Sequence, residues 1–471
     1  MGLSQRISER TPADRDRYLD VLRVTSILLV VTGHWLVRAV TAEAGELQPG
    51  YMLALEPWTQ WLTLIVQVLP IFFLVGGALN AQSWRRARAR GTRATDWLRR
   101  RARRLLLPLL PLLFVWIAVA AILDAATWRS LFVFDPDTAV IPVWFLAAYL
   151  VVTALTPATL WLHERAGGMA LIAVATAVAI IIDVLRFTLL AEGPQLGGQP
   201  AIAALNFPVV IVIIHQLGYL WADDRLPRRP HHRGLIALVT GAALAVMIGS
   251  GLYPLTMVPI AGTDAPNNLA PPSAALIALG LVQLGVALLL RRPVTRWLER
   301  PRAWVVVALP GSHLMTIFLW HQTAMLAVTA AVYPTGLWPV GEHIDATWWL
   351  TRPLWILLCA IVLALLALAF GKFESVAPPA PTRLSRVPAG LQHGAGVLLT
   401  SAGIAQLIDG GLTSADAPLR LPLAAMVLLI LGLVALGVVD LRKGLRRRGR
   451  RGAGKSPRAR VTAATDTGDR A

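Results

Sequence analysis

The sequence predicts an all-α fold, a polytopic membrane helical bundle of about twelve transmembrane helices, ten in a core and two C-terminal to it. Three observations predict it. Of 471 residues, 56% are hydrophobic and only 15% are charged, against about 25% charged in soluble domains. The apolar residues fall in blocks close to the length of about 20 that spans a bilayer core. The basic residues, finally, are confined to alternate loops.

Taken in order, residues 1–18 form a polar N-terminal segment with Arg6, Arg10, Arg15 and Arg17, and no secretory leader pattern is read there. Spans are expected at 19–40, 58–81, 105–123, 141–162, 169–190, 202–222, 235–253, 273–290, 303–332 and 348–371. A proline-bearing linker, 372–390, separates them from a weaker apolar stretch, 394–408, and a stronger one, 419–440. Residues 441–471 read as a basic, disordered tail lying near anionic lipid.

Seven segments, beginning with 1–18 and ending with 441–471, hold 38 of the 44 Lys and Arg; the intervening loops hold one, Arg129. By the positive-inside rule the N-terminus is cytoplasmic in a multi-pass cell-membrane protein. The same rule favours a crossing at 394–408, which returns the tail to the cytoplasm; a re-entrant hairpin there or an eleven-span form is the alternative. The net charge of +18 is thus a topology signal, and nucleic acid is not expected as a partner. A single cysteine, Cys359, excludes intramolecular disulfides and cysteine-cluster zinc sites, and no metal spacing is seen. The sequence does not disclose the oligomeric state.

Ionisable residues inside spans are costly and point to function. Arg23 and His34 are eleven residues apart, three helical turns plus about 20°, so they share one face of the first span about 16.5 Å apart along its axis. An interfacial arginine and a histidine satisfied by a neighbouring helix is the plainer alternative. Asp183 and Arg186, at i and i+3, form either a self-neutralised pair or a group that orients His34, which sits at matching depth.

Arg17-Leu19-Asp20-Leu22-Arg23, then His34 within Gly33-His34-Trp35, resembles the opening of the acyltransferase 3 family, the integral-membrane O-acyltransferases that include O-antigen acetylase-like proteins. Pro70-Ile71-Phe72-Phe73 before Gly76-Gly77 is similar to the family's aromatic pair and small-residue turn, with Gly-Gly where Ser-Gly is usual. Arg101 and Arg104 ahead of Pro108 resemble its Arg-x-x-Arg element, Trp144-Phe145-Leu146 its fourth-span start, and Ser312 with Leu319-Trp320-His321 its late segment. The resemblance covers about residues 15–370.

It implies acyl transfer, with acetyl the expected group, from acyl-CoA to a hydroxyl of a sugar, lipid-linked glycan or glycosylated metabolite. No permanently bound cofactor is implied. Such chemistry needs a base for the hydroxyl proton, and an imidazole titrating near about 6.5 suits it, so His34 is the candidate. Arg23, with Asp20 to orient it, is placed at the CoA end of the donor. Arg101 and Arg104 would bind the CoA phosphates, for which a guanidinium fork is suited. His321 is a second catalytic candidate that positions the acceptor or is simply bonded to Ser or backbone. Asp183 is a third. Glu56, Glu342, His343 and Asp345 lie in loops where a polar acceptor would arrive. A transporter of a small polar or anionic solute, without covalent chemistry, is the competing reading.

Overall fold

The computed structural model describes residues 11, 15–128, 132–196, 199–375, 387–414 and 417–439. The basic tail, most of the proline-bearing linker, the first ten residues and Arg129 lie outside them.

The first helix, α1 (Arg17–Val37), starts where the Asp16 carboxylate accepts from the Tyr18 and Leu19 amides at 3.0 and 3.2 Å. It ends in a hairpin of β1 (Arg38–Glu43) and β2 (Glu46–Tyr51). Ala44 and Gly45 both have positive φ, the geometry of a tight two-residue turn. The hairpin register pairs Arg38 with Tyr51, and Ala42 donates to the Gly341 carbonyl at 3.0 Å. The loop expected at 41–57 is therefore partly strand. A second, two-residue ladder joins Gln195–Leu196 to Gln199–Pro200. These are the only strands among the described residues of an otherwise helical chain.

After short turns come α2 (Leu69–Ala89), α3 (Ala94–Leu106), α4 (Leu109–Ala125), α5 (Trp144–Ala166), α6 (Gly168–Phe187), α7 (Asn206–Ala222) and α8 (Pro230–Gly249). Then follow α9 (Ala274–Leu298), α10 (Pro301–Ser312), α11 (Leu314–Val332), α12 (Ala346–Phe370), α13 (Ala389–Gly410) and α14 (Leu423–Ala435). Among the described residues nine helical segments are long and apolar enough to cross a membrane, ten when α3 and α4, bent by 41°, count as one. By helix length and hydropathy this is a multi-pass membrane protein.

Ten agrees with the expected core; the expected total of twelve is not reached. Helix α13 carries Gln392, His393, Gln406 and Asp409 and falls short of the apolar criterion. Helix α14 has 13 residues, about 20 Å at 1.5 Å per residue, against a core of about 30 Å. The two pack on each other through Gly396, Gly403 and Gly432, and α13 packs against α5.

Two expected single helices are broken. The span expected at 303–332 divides at His313 (φ −122°, ψ 26°) into α10 and α11. The freed N-terminus of α11 is satisfied by Glu374, whose carboxylate accepts from the Thr316 amide and hydroxyl at 2.5 and 2.6 Å. The stretch 58–81 begins as short 3₁₀ and α turns and becomes regular helix only at Leu69. Apolar content fixes neither break, because both halves are apolar.

The core is tightest where α2 crosses α7. A Cβ at Gly77 would lie 2.1 Å from the His215 carbonyl oxygen, and one at Gly218 would lie 2.1 Å from that of Leu74. Only glycine lets the two backbones meet, the usual device for helix association in lipid. Next to it, the Tyr149 ring occupies the space beside Gly76, 2.7 Å from where a Cβ would stand. The Gly-Gly pair thus seats a backbone on one side and an aromatic ring on the other.

Candidate active site

One face of α1 lines two cavities in succession. At its N-terminal end, a cavity of about 490 Å³ is bounded by Asp16, Asp20 and Arg23, by Arg86 and Arg90 of the α2 end, and by Arg101 and Arg104 of α3. Beyond it, a cavity of about 460 Å³ is lined by Ser26, Val30, His34 and Arg38, by Phe72 of α2, and by residues of α5, α7 and α11. Because α1 is unbroken, Arg23 and Ser26 are less than one turn apart, and the cavities adjoin along it. On α2 they are separated by Gly76, between Phe72 and Leu79 on the same face. Tyr149 covers that glycine and packs on Phe72 and Phe145, with ring centroids 5.8 and 6.1 Å away.

The first cavity is dominated by arginine. Asp20 accepts from Arg15 Nε at 2.5 Å and lies 3.3 Å from an Arg23 terminal nitrogen. That pair fixes Arg23 at the cavity wall, and its buried Nε has no hydrogen-bond partner among the described residues. Burial and the Asp20 carboxylate act oppositely on Arg15; the hydrogen bond prevails and its pKa is raised. On α3, the i and i+3 spacing turns Arg101 and Arg104 to the cavity. Arg103 turns the other way and donates to the Val438 carbonyl at 2.5 Å. Arg101 also reaches the Leu79 carbonyl and lies over the Trp97 ring. Arg17 is taken up elsewhere, donating to the Leu298 carbonyl at 3.0 Å with its guanidinium 4.9 Å from the Trp304 ring centroid.

In the second cavity, His34 and His321 meet across 287 residues of sequence: His34 Nδ1 lies 2.7 Å from His321 Nε2, with the rings stacked. Trp35 donates to the His321 carbonyl at 2.9 Å, and Trp355 donates to the Trp35 carbonyl at 3.1 Å, so α1, α11 and α12 are clamped beside the pair. His321 Nδ1 lies 2.5 Å from the Phe318 carbonyl. A carbonyl only accepts, so that nitrogen carries the proton. In the neutral pair His321 Nε2 must then accept, His34 Nδ1 must donate, and His34 Nε2 is left with a free lone pair. His34 lines the cavity, whereas His321 is fully buried behind it. Among the described residues no cluster of His, Cys, Asp and Glu could hold a metal.

Arg23 and His34 do share one face of α1, each at its own cavity. Asp183 is not drawn to the histidines. It accepts from Asn206 Nδ2 (2.8 Å), the Ala274 amide (2.7 Å) and Tyr253 Oη (3.1 Å), and lies 3.3 Å from Arg186 Nε. The three hydrogen-bond donors come from three separate segments, so the carboxylate joins α6 to α7, the stretch after α8 and the start of α9. His313 sits at the α10–α11 break beside Ser312, 2.9 Å from its hydroxyl. Glu56 accepts from the Trp58 indole at 3.0 Å, and Asp345 caps α12 through the Trp348 amide. Neither Glu342 nor His343 lines either cavity.

Sequence reasoning missed Tyr149, Arg38, Tyr51 and Gln322. Gly76 beside the aromatic pair was a signal for a large neighbour at Tyr149. Arg38, an ionisable residue within the expected span 19–40 and four residues past His34, carried a signal too; Tyr51 and Gln322 gave none, since they reach the cavity only through the hairpin and the packing of α11.

The family model of the acyltransferase 3 domain, an acyltransferase domain, matches residues 16–371. No curated protein and no solved structure matches the chain. The match starts at the Asp16 cap and ends with α12, so it takes in both arginine-lined and histidine-lined cavities and leaves out α13 and α14. A transporter without covalent chemistry is set aside by it. The chain belongs to the acyltransferase 3 family and is a membrane acyltransferase.

Proposed function

We propose that the protein transfers an acyl group, acetyl being the simplest, from acyl-CoA to a hydroxyl of a sugar, cell-envelope glycan or glycosylated metabolite. The observation that carries the reading is the cavity-lining His34 with its Nδ1 held by His321. His34 Nε2 takes the hydroxyl proton as the acceptor oxygen bonds to the acyl carbon. The carbon–sulfur bond breaks, and CoA leaves as the thiolate, to which the proton passes. His321, holding the imidazole from behind, is a positioning residue.

The donor's phosphates are assigned to the first cavity, against Arg23, Arg101 and Arg104, with Asp20 orienting Arg23. The pantetheine arm then follows α1 past Tyr149, covering the rise of about 16.5 Å between Arg23 and His34. The distribution of Lys and Arg supports placing the N-terminus and the arginine cavity in the cytoplasm, where CoA is found. It also supports the α13–α14 pair crossing and returning, for twelve spans in all, because basic segments flank the pair on both sides. On this reading the acceptor reaches His34 from the opposite side. Asp183 is left in the framework.

The test is release of CoA and transfer of labelled acetyl by purified protein in lipid, with His34→Ala and His34→Gln beside wild type. Loss of a general base lowers turnover by about 10²- to 10⁴-fold, with folding checked by thermal unfolding. Wild-type turnover matched by both variants would remove His34 from the chemistry.

A further inference from the structure

Arg38 is the first residue after α1, one turn beyond His34, and it lines the same cavity. The Arg38–Tyr51 pairing of the hairpin holds its guanidinium 5.9 Å from the Tyr51 ring centroid, with Phe134 at 5.4 Å. Among the described residues no carboxylate forms an ion pair with it and no acceptor takes a hydrogen bond from it.

The other buried arginines differ. Arg103, Arg233 and Arg352 donate to backbone carbonyls, and Arg186 faces Asp183. A half-buried charge without an anion is costly, and proteins normally pair it. A second unmet demand lies in the same cavity: the Gln322 side-chain oxygen is buried without a donor among the described residues. The remaining wall is mostly apolar, including Val30, Phe72, Trp144 and Phe318.

We propose that Arg38 reads an anionic group on the acceptor. The acceptor is an amphiphile carrying a carboxylate or phosphate within roughly one helical turn, on the order of 6 Å, of the hydroxyl acylated at His34. Gln322 accepts from another of its hydroxyls, and the apolar wall takes its hydrocarbon part. This assignment rests on the transferase reading for the acylation step, but the anion site is measurable without turnover.

The experiment compares binding of octyl glucuronide and octyl glucoside to the full chain in zwitterionic nanodiscs, read by thermal stabilisation, and then acetyl transfer to each from acetyl-CoA. Wild type is expected to favour the glucuronide by at least about tenfold, the scale of one hydrogen bond to a charged group. Arg38→Gln brings that ratio close to one and Arg38→Lys restores part of it, because the charge remains while the fork is lost. His34→Ala keeps the binding ratio and loses transfer.

An equal ratio in wild type and Arg38→Gln overturns the proposal. So does equal loss of both ligands in Arg38→Gln, which would assign Arg38 to packing or to the developing oxyanion. Loss of the wild-type preference in phosphatidylglycerol nanodiscs overturns it too, giving the site to a lipid headgroup. Selective glucuronide binding without any acetyl transfer would keep the anion site and reject the proposed transfer from acetyl-CoA. Transfer without selectivity would do the reverse.

Discussion

Replacing His321 by leucine, and separately by glutamine, tests the relay behind His34. His321 Nε2 is the acceptor 2.7 Å from His34 Nδ1. Leucine removes it and leaves a buried N–H unpaired, so His34 is free to adopt the tautomer that presents Nε2–H to the cavity. That form has no lone pair on the Nε2 that faces the acceptor hydroxyl. An unsatisfied buried donor costs about 1–3 kcal/mol, so the active tautomer is depleted, and the rate reduced, by about 5- to 150-fold. Glutamine offers an amide oxygen near the lost Nε2 and keeps much of the preference. The Trp35 bond to residue 321 goes to its backbone carbonyl, so the α1–α11 contact survives both changes. The assay is the initial rate of labelled acetyl transfer at saturating acetyl-CoA, normalised to folded protein. His321→Leu should lower kcat with little change in donor KM, and His321→Gln should lie between it and wild type. Full activity in His321→Leu, or equal loss in both variants, would refute the relay.

Three further outcomes follow from the geometry. Arg101→Ala and Arg104→Ala should each raise the KM for acetyl-CoA about tenfold or more, the scale of a lost charge-assisted hydrogen bond. Arg103→Ala, which faces Val438, should leave that KM unchanged; titrating donor concentration decides. Gly77→Ala drives a Cβ against the His215 carbonyl, which cannot rotate away. It should destabilise by at least the roughly 1–3 kcal/mol of an overpacked core, seen as a lower thermal midpoint or loss of folded protein. Asp183→Asn leaves Arg186 without its counter-charge at a site fully closed to solvent. Breaking a buried pair costs about 3–5 kcal/mol, so the midpoint should fall while kcat per folded molecule stays within about twofold; a selective kcat loss would return Asp183 to the chemistry.

Hydropathy alone fixed the membrane class and a core of nine or ten candidate spans, because spanning lipid demands long apolar helices whatever their partners. The shared face of Arg23 and His34 was equally readable, since helical periodicity is a local property and α1 is unbroken from Arg17 to Val37. The Arg101 and Arg104 pair, distinct from Arg103, follows from the same i and i+3 geometry once α3 is a helix.

Tertiary structure alone decided the rest. His34 meets His321 because α1 and α11 pack side by side, and no spacing in a chain encodes a contact across 287 residues. Asp183, at matching depth by helix counting, went to Asn206, Tyr253 and Ala274, since depth along a bundle does not specify which helix lies alongside. The break at His313 is held by Glu374, which caps α11 at Thr316 from 58 residues further along the chain. Arg38 entered the cavity through a hairpin whose pairing with Tyr51 no hydropathy pattern carries. Local sequence sets what each segment is; which segments touch is set by backbone close approach, as at Gly77 and Gly218, and by buried polar groups that must find partners in a medium with no water to offer them.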